Sequence, residues 1–307
     1  MLPFLKEHYG NPSSNHAVGR VGHEAVELAR GEVAFAIGAT ADEVCFSSGG
    51  TESNNMAIHG VMLQHAPDSG AHLIVSNFEH PAVSAPVEYL QRMGYQITEV
   101  PCDENGVVTA QRVAEAIRDT TVLVSIMHSN NEIGTLQPIS KISEVCRGQN
   151  VLLHTDAAQS VGKVSTQVDE IGVDLMTIAG HKVYAPKGVG ALYVRTGVSL
   201  DPVLYGAGHE RGLRPGTENV PSIVGLGKAM KLAHRSLEES SERLGNLRDR
   251  LSDRLLAGLG TQARIHGEQA PRLPGTLSLV FPGVRATDLL ARVPEICAST
   301  GSACHET

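Results

Sequence analysis

Two short apolar runs in the middle of the chain each lead directly into side chains that could do chemistry. The runs span 151–153 and 174–179. The polar side chains that follow them are His154, Asp156, Gln159, His181 and Lys182. The connection between the runs contains Gly162 and Gly172, which leaves room for a crossover. A βαβ unit places both strand ends at one edge of a sheet, where ligands bind in open α/β folds. The sequence therefore predicts that an acid and a lysine, far apart in the chain, face one pocket.

Lys182 and Asp156 have types and positions that suit pyridoxal phosphate chemistry. A lysine at a desolvated strand end favours the neutral amine, which is the form that attacks a carbonyl. A carboxylate beside a pyridine nitrogen keeps that nitrogen protonated, so that the ring can accept electrons. Taken singly, Lys182 also fits a solvated surface lysine, and Asp156 also fits a helix N-cap after a strand.

A second feature is the segment SSGGTESNN at 47–55, which follows a predicted strand at 44–46. Glycines allow the backbone to approach a ligand closely, and the free N–H groups at a helix N-terminus attract phosphate. Thr51 adds a hydroxyl donor. The same segment alone would also fit an ordinary capped helix start, and no nucleotide-binding glycine motif is present.

Seven segments together resemble those of one known family, in the family's order. They are SSGGTESNN (47–55), EHPAV (79–83), HSNNEIG (128–134), HTDAAQSVGK (154–163), AGHKVYAPKGVGALYVR (179–195), GHERGLRPGTEN (208–219) and STGSACH (299–305). The chain resembles the cysteine desulfurase and selenocysteine lyase family, a branch of the class V aminotransferases among the fold-type I pyridoxal phosphate enzymes. The resemblance implies an α/β fold of the fold-type I PLP-transferase kind, with a mostly parallel sheet, helices on both faces and a smaller, truncated α+β domain.

The resemblance also implies which residues do the work. The implied contacts to pyridoxal 5'-phosphate are Gly50, Thr51, His80, Asn131, Asp156, Gln159, His181, Lys182 and Thr217. Lys182 would hold the cofactor covalently, His80 would stack on its ring and move protons, and Thr217 would reach the phosphate of the partner subunit in a homodimer. The implied catalytic residues are Lys182, His80 and Cys304.

Cys304 is one of five scattered cysteines, and no C-x-x-C pair occurs. An odd number of scattered cysteines fits a reducing compartment, and we expect a cytoplasmic protein. A lone thiol near a chain end is by default an exposed, frayed residue. The match of G-S-A-C to the family favours a nucleophile instead, and His305 would favour its thiolate if protonated. Cys297 is expected in the core.

Composition argues against several other classes of protein. The net charge of the 307 residues is −8, tryptophan is absent and aromatic residues make up 4%, which argues against a nucleic-acid partner. No apolar run is long enough to span a bilayer. The 14 histidines form no H-E-x-x-H and no Cys/His ligand spacing, so no metal site is predicted.

The order of strands and helices predicts two domains. Residues 1–220 are expected to form the large cofactor-binding domain, and residues 221–307 a linking helix and a partial small domain that carries the Cys304 loop. Residues 1–18 are expected to be irregular. The predicted strands are 44–46, 73–75, 97–100, 121–127, 151–153, 174–179, 189–195, 276–281 and 296–299. The predicted helices are 19–38, 109–118, 138–147, 287–293 and a long helical region at 220–259 that is punctuated near Gly245.

Three expected family features are missing from this sequence. They are an opening Asp-Tyr-x-Ala-Thr-Thr pattern, an R-x-S-x-G segment whose arginine binds the substrate carboxylate, and a serine at position 179, which reads Ala179. We therefore expect a chain that is shortened at both ends relative to the family.

The leading functional hypothesis is a cysteine desulfurase. It would take sulfur from L-cysteine as an enzyme persulfide, release L-alanine, and pass the sulfur to an acceptor such as an iron–sulfur cluster assembly scaffold. One alternative is a selenocysteine lyase acting on L-selenocysteine, or another C–S lyase with the same cofactor. The other is a truncated, non-catalytic protein of this fold with a binding or regulatory role.

Overall fold

A seven-stranded sheet forms the centre of the computed structural model, which describes residues 1–301. Its strands are β1 (Val44–Ser47), β2 (His72–Ser76), β3 (Gln96–Val100), β4 (Thr121–Ser125), β5 (Leu152–Asp156), β6 (Leu175–Ala179) and β7 (Gly190–Val194). The strand order is β1-β7-β6-β5-β4-β2-β3. Five neighbouring strands are parallel to one another, namely β3, β2, β4, β5 and β6. Strand β7 runs antiparallel to both β6 and β1. The predicted mostly parallel sheet is confirmed.

Helices cover both faces of this sheet. They are α1 (Leu2–Lys6), α2 (Ala17–Ile37), α3 (Gly50–Met62), α4 (Pro81–Arg92), α5 (Ala110–Ala116), α6 (Ile139–Gly148), α7 (Val168–Ile171), α8 (Val220–Arg235), α9 (Leu237–Leu259) and α10 (Ala286–Ala291). Successive strand residues point to opposite faces, so Val124 packs in one core cluster and Leu123 in the other. Helices α2, α5, α6 and α8 bury apolar side chains in the first cluster, and α3 and α4 bury theirs in the second. Because both faces are covered, the buried strands β2, β4 and β6 are mostly apolar.

A second, two-stranded sheet follows the long helices. It pairs β8 (Arg264–Ile265) with β9 (Leu279–Val280) in antiparallel fashion. The segment near β8 also contacts the main body, where the backbone of Leu136 donates to Pro271 and that of Leu273 donates to Gly134. Within residues 1–301, no helix is both long and apolar enough to cross a bilayer.

The C-terminal third differs from the prediction in three places. The helical region breaks at Ser236, while Gly245 lies inside α9, because a single glycine on a helix costs only about 1 kcal/mol relative to alanine. The strand predicted at 276–281 pairs only over Leu279–Val280, and 296–299 forms no strand. A two-stranded sheet offers few ladder partners, so these apolar runs stay unpaired. Residues 1–18 are also less irregular than expected, since they contain α1.

A buried ion pair ties α2 to the loop at 206–219. The Arg30 guanidinium donates to both carboxylate oxygens of Glu210 at 2.7 and 2.8 Å, and Glu210 also accepts from the backbone N–H of Phe46. Burial alone would lower the pKa of Arg30, but its bonds to Glu210 and Glu27 raise that pKa above the usual value. Glu210 and Arg211 both have positive φ angles, of 48° and 57°, and the ion pair fixes the loop at this point.

We expect Arg30→Met to lower the free energy of unfolding by about 3–5 kcal/mol, because the substitution leaves the Glu210 charge buried without its partner. The matched control is Arg285→Met, which breaks an exposed ion pair to Asp288 and is expected to cost about 0–1 kcal/mol. Denaturant unfolding of both variants measures the difference, and equal losses would contradict the account.

Candidate active site

A cavity of about 440 Å³ opens at the carboxyl ends of the parallel strands. The side chains and backbone that line it come from six separate segments. The lining residues include Gly50, Thr51, Asn54, His80, Met127, Ser129, Asn131, Asp156, Gln159, Ala179, His181, Lys182, Ser299 and Gly301. Strands β5 and β6 are parallel neighbours in which Asp156 pairs with Thr177, so Lys182 follows β6 at the same edge. The structure therefore brings the acid and the lysine together, as the βαβ argument predicts.

One wall of the cavity is the turn that leads from β1 into α3. Gly49 has a φ angle of +148°, a backbone conformation that residues other than glycine rarely adopt. A Cβ added at Gly50 would lie 3.2 Å from the Cβ of Ala179, and one added at Gly190 would lie 2.7 Å from the Cα of Gly49. No side chain caps the N-terminus of α3. Its first N–H groups are thus a suitable site for an anion.

Asp156 is buried at the end of β5 and held at both carboxylate oxygens. Its Oδ2 accepts from Asn54 Nδ2 at 2.7 Å, and its Oδ1 accepts from the backbone N–H of Ala158 at 2.9 Å. Burial raises the pKa of Asp156, and these two bonds together with the charges of His80 and Lys182 oppose that rise. The carboxylate is therefore oriented by donors that favour its ionised form.

Asn54 was missed by the sequence analysis, although it lies within the segment 47–55. It is one helical turn after Gly50, so it faces the same side of α3. Besides its bond to Asp156, it carries a buried Oδ1 with no hydrogen-bond partner in the described part of the chain. Asn54 is identified as part of the site only by its contact in the folded chain with Asp156, which lies 102 positions further along the sequence.

Asn54→Leu is expected to weaken the affinity for pyridoxal phosphate by about 10- to 100-fold, the size of a lost hydrogen bond to a charged group. Asn55→Leu is the matched control, because the Asn55 amide is exposed and donates only to Thr51 of its own helix. Equilibrium titration of the cofactor measures both affinities. Equal affinity in the two variants would show that Asn54 does not orient Asp156.

Gln159 has its amide orientation set by a buried lysine. Lys163 Nζ donates to Gln159 Oε1 at 3.0 Å, which leaves the Gln159 NH₂ group as the donor available to a ligand. Burial, with a smaller contribution from the charge of Lys182, lowers the pKa of Lys163 to about 8. Burial and the charges of Lys182 and Lys187 likewise lower the pKa of His181.

His80 stands at the start of α4, directly before Pro81. Its Nδ1 accepts from the backbone N–H of Ala82 at 3.0 Å, so in the neutral ring the proton lies on Nε2.

On the other side of the cavity, Ser299 and Gly301 contribute to the wall. The predicted nucleophile Cys304 lies outside the described residues.

Thr217, which is expected to reach the cofactor of the partner subunit, lines a separate cavity of about 230 Å³ together with Ser48 and Arg214. Two other residues differ from their expected surroundings. His154 is buried between the hydroxyls of Ser125 and Thr177, and burial lowers its pKa to about 3, so it is a neutral structural residue. Cys297, expected in the core, is exposed, because the segment around it forms no strand.

Comparison with known proteins places the chain in one family. The family model described as Aminotransferase class-V matches residues 1–307. The chain belongs to the class-V aminotransferase family. A curated relative named Cysteine desulfurase IscS, from Dictyoglomus turgidum, is 44% identical over 100% of this chain and 78% of its own length. Another, Cysteine desulfurase IscS 1 from Archaeoglobus fulgidus, is 43% identical over 99% of this chain and 79% of its own length.

Solved structures of this family have the same fold. One described as NIFS-LIKE PROTEIN superimposes with a TM-score of 0.90 at 37% identity, covering 96% of this chain and 80% of its own. Another, described as SspA in complex with cysteine, has a TM-score of 0.85 at 34% identity and covers 98% of this chain and 84% of its own. The resemblance to fold-type I enzymes inferred from the sequence is therefore confirmed.

Class-V aminotransferases depend on pyridoxal 5'-phosphate, and the donors of this cavity fit that cofactor. The uncapped start of α3 suits a phosphate, the buried Asp156 carboxylate suits a protonated ring nitrogen, and the amine of Lys182 suits a carbonyl carbon. Asn54 also lines the cavity, and its buried Oδ1 is an acceptor with no donor among residues 1–301.

Proposed function

We propose that this chain is a pyridoxal phosphate-dependent cysteine desulfurase that converts L-cysteine to L-alanine and retains the sulfur as a persulfide. The observation that carries the proposal is the meeting of Lys182, Asp156 and His80 in one cavity. The described part of the cavity wall includes Gly301, which precedes Cys304 by three residues in the sequence. The names of the curated relatives support the same reaction.

The cofactor, when bound, supplies an electron-accepting ring joined to the substrate amine. Lys182 would hold it covalently, and Asp156 would keep its ring nitrogen protonated. Gly50, Thr51 and His181 would bind the phosphate, while Asn131 and Gln159 would donate to its other oxygens. Ala179 offers no hydroxyl at the place where the family has one, so the backbone of α3 carries more of the phosphate binding in this chain.

Sulfur transfer is assigned to Cys304. Its thiolate attacks the sulfur of L-cysteine, an S–S bond forms as the C–S bond breaks, and the carbon left behind takes a proton to give the methyl group of alanine. Lys182 and His80 are the residues proposed to move protons. Because Nδ1 accepts the bond from Ala82, Nε2 is the ring atom that would give and take the proton.

The assembly and the partners are also part of the proposal. We propose a homodimer in which Thr217 reaches the cofactor phosphate of the partner subunit, since Thr217 lies outside the cavity of its own chain. The division into residues 1–220 and 221–307 would separate cofactor binding from the domain that carries Cys304. The sulfur acceptor would be a protein such as an iron–sulfur scaffold, and the unpaired thiols of Cys45, Cys102, Cys146 and Cys297 suit the cytoplasm.

The test is to incubate the cofactor-loaded chain with L-cysteine and measure alanine and protein-bound persulfide in the same sample. We expect alanine and a mass increase of one sulfur atom on Cys304. Parallel samples with L-selenocysteine distinguish the related reaction, because alanine from selenocysteine alone would assign the chain to the lyases. Bound cofactor with no alanine from either substrate would contradict catalysis.

A further inference from the structure

Glu79 is a fully buried carboxyl group beside the cavity to which neither the sequence nor the family comparison assigns a role. It follows β2 and immediately precedes His80. Its Oε1 accepts from Ser76 Oγ at 2.5 Å and from the backbone N–H of Met127 at 2.9 Å. Glu79 thus joins the turn that carries His80 to the end of β4, where Met127 forms part of the cavity wall.

The other oxygen of Glu79 has no partner. Its Oε2 is buried and accepts no hydrogen bond from any described residue. An ionised carboxylate usually accepts at both oxygens when it is buried, and one left half-satisfied is costly. A neutral carboxyl group loses far less hydration on burial than an anion does, so an Oε2 buried without a partner favours the neutral acid.

The charges around this edge favour the neutral acid too. The carboxylate of Asp156 on β5 acts on Glu79 and repels a second negative charge. The other titratable groups gathered here are His80, Lys182 and His128, and burial lowers the pKa of His128 to about 4, so this ring is neutral. Burial, helped by Asp156, raises the pKa of Glu79 to about 8, although its bonds to Ser76 and Met127 oppose the rise.

We infer that Glu79 is a positioning residue which, as a neutral carboxylic acid, fixes the His80 turn against Met127 and leaves Asp156 as the one carboxylate among the described residues of the cavity wall. The inference rests on the proposed function for its purpose, since it concerns the placement of His80 and Asp156. A charged glutamate at this place would add a second negative charge close to that of Asp156.

A Glu79 that is neutral in the folded chain makes the stability of the chain depend on pH. Its folded-state pKa lies above its unfolded value, so the folded chain binds the proton more tightly and loses stability as the pH rises from about 5 to about 8. Glu79→Gln keeps the Oε1 acceptor and cannot titrate. The melting temperature of Glu79→Gln should therefore rise relative to the wild type by several degrees across this interval and then level off.

The experiment compares Glu79→Gln, Glu79→Ala and wild type by melting temperature between pH 5 and 9 and by affinity for pyridoxal phosphate. We expect Glu79→Gln to bind the cofactor within about threefold of wild type, and Glu79→Ala to bind about tenfold or more weakly, because it removes the acceptor for Met127 and Ser76. Glu88→Gln, on the exposed side of α4, is the control for replacing a glutamate that faces solvent, and it should give no such pH trend.

A melting-temperature difference that does not change with pH would overturn the inference, as would cofactor binding in Glu79→Gln as weak as in Glu79→Ala. Both readouts are independent of turnover. A wild-type chain that binds the cofactor but releases no alanine would contradict the proposed function and leave the result on Glu79 standing.

Discussion

Lys182→Ala is expected to abolish cysteine-dependent alanine release and to let the cofactor separate from the protein on gel filtration. The amine of Lys182 is the proposed covalent anchor, and it is also one of two groups assigned to proton movement. Loss of a proton-transfer group alone costs about 10²- to 10⁴-fold in rate, and loss of the anchor adds to this. Alanine release and the visible absorption of the eluted protein measure the two effects together.

The control for Lys182 is Lys187→Ala, because Lys187 is an exposed lysine that lies five residues further along the same segment. It should retain both colour and alanine release. Normal turnover by Lys182→Ala would mean that another amine holds the cofactor. Lys163 would then be the first candidate, since burial lowers its pKa to about 8 and it lies close enough to Lys182 to feel its charge.

Cys304→Ser is expected to remove persulfide formation and alanine release while cofactor binding stays as in wild type. A serine hydroxyl is far from ionised at neutral pH and cannot replace the thiolate as nucleophile. The buried thiols cannot substitute either, because burial raises the pKa of Cys146 to about 12 and that of Cys45 further above its usual value. Persulfide labelling followed by peptide mass analysis locates the sulfur.

Cys297→Ser is the matched control for Cys304, because Cys297 is an exposed thiol on the same terminal segment. It should keep persulfide formation and alanine release. Persulfide that persists in Cys304→Ser and disappears in Cys297→Ser would move the nucleophile to Cys297, and loss in both variants would indicate that the segment, rather than one thiol, is required.

The sheet and most of the cavity were predictable from the sequence because their signals are local. The buried strands β5 and β6 each begin with two apolar residues, and the residues that could do chemistry lie at or just beyond their carboxyl ends, as Asp156 and Lys182 do. The positions within β5 were less predictable. His154 and Asp156 are both polar, yet one is enclosed by Ser125 and Thr177 in the core and the other faces the cavity. Only neighbouring strands decide between these environments.

The rest could not be predicted because it depends on contacts between distant segments. The bond from Asn54 to Asp156 and the contact of Glu79 with Met127 join residues far apart in the chain, and neither residue type is unusual at its own position. Similarly, the exposure of Cys297 depends on whether 296–299 finds a strand partner, which an apolar run alone does not determine.

The measurement that tests the central claim most directly is the visible absorption spectrum of the purified, cofactor-loaded chain before and after L-cysteine is added, with alanine assayed in the same tube. We predict a cofactor band that changes when cysteine is added, together with the appearance of alanine in excess of the protein. A cofactor band that cysteine leaves unchanged, with no alanine formed, would contradict the account.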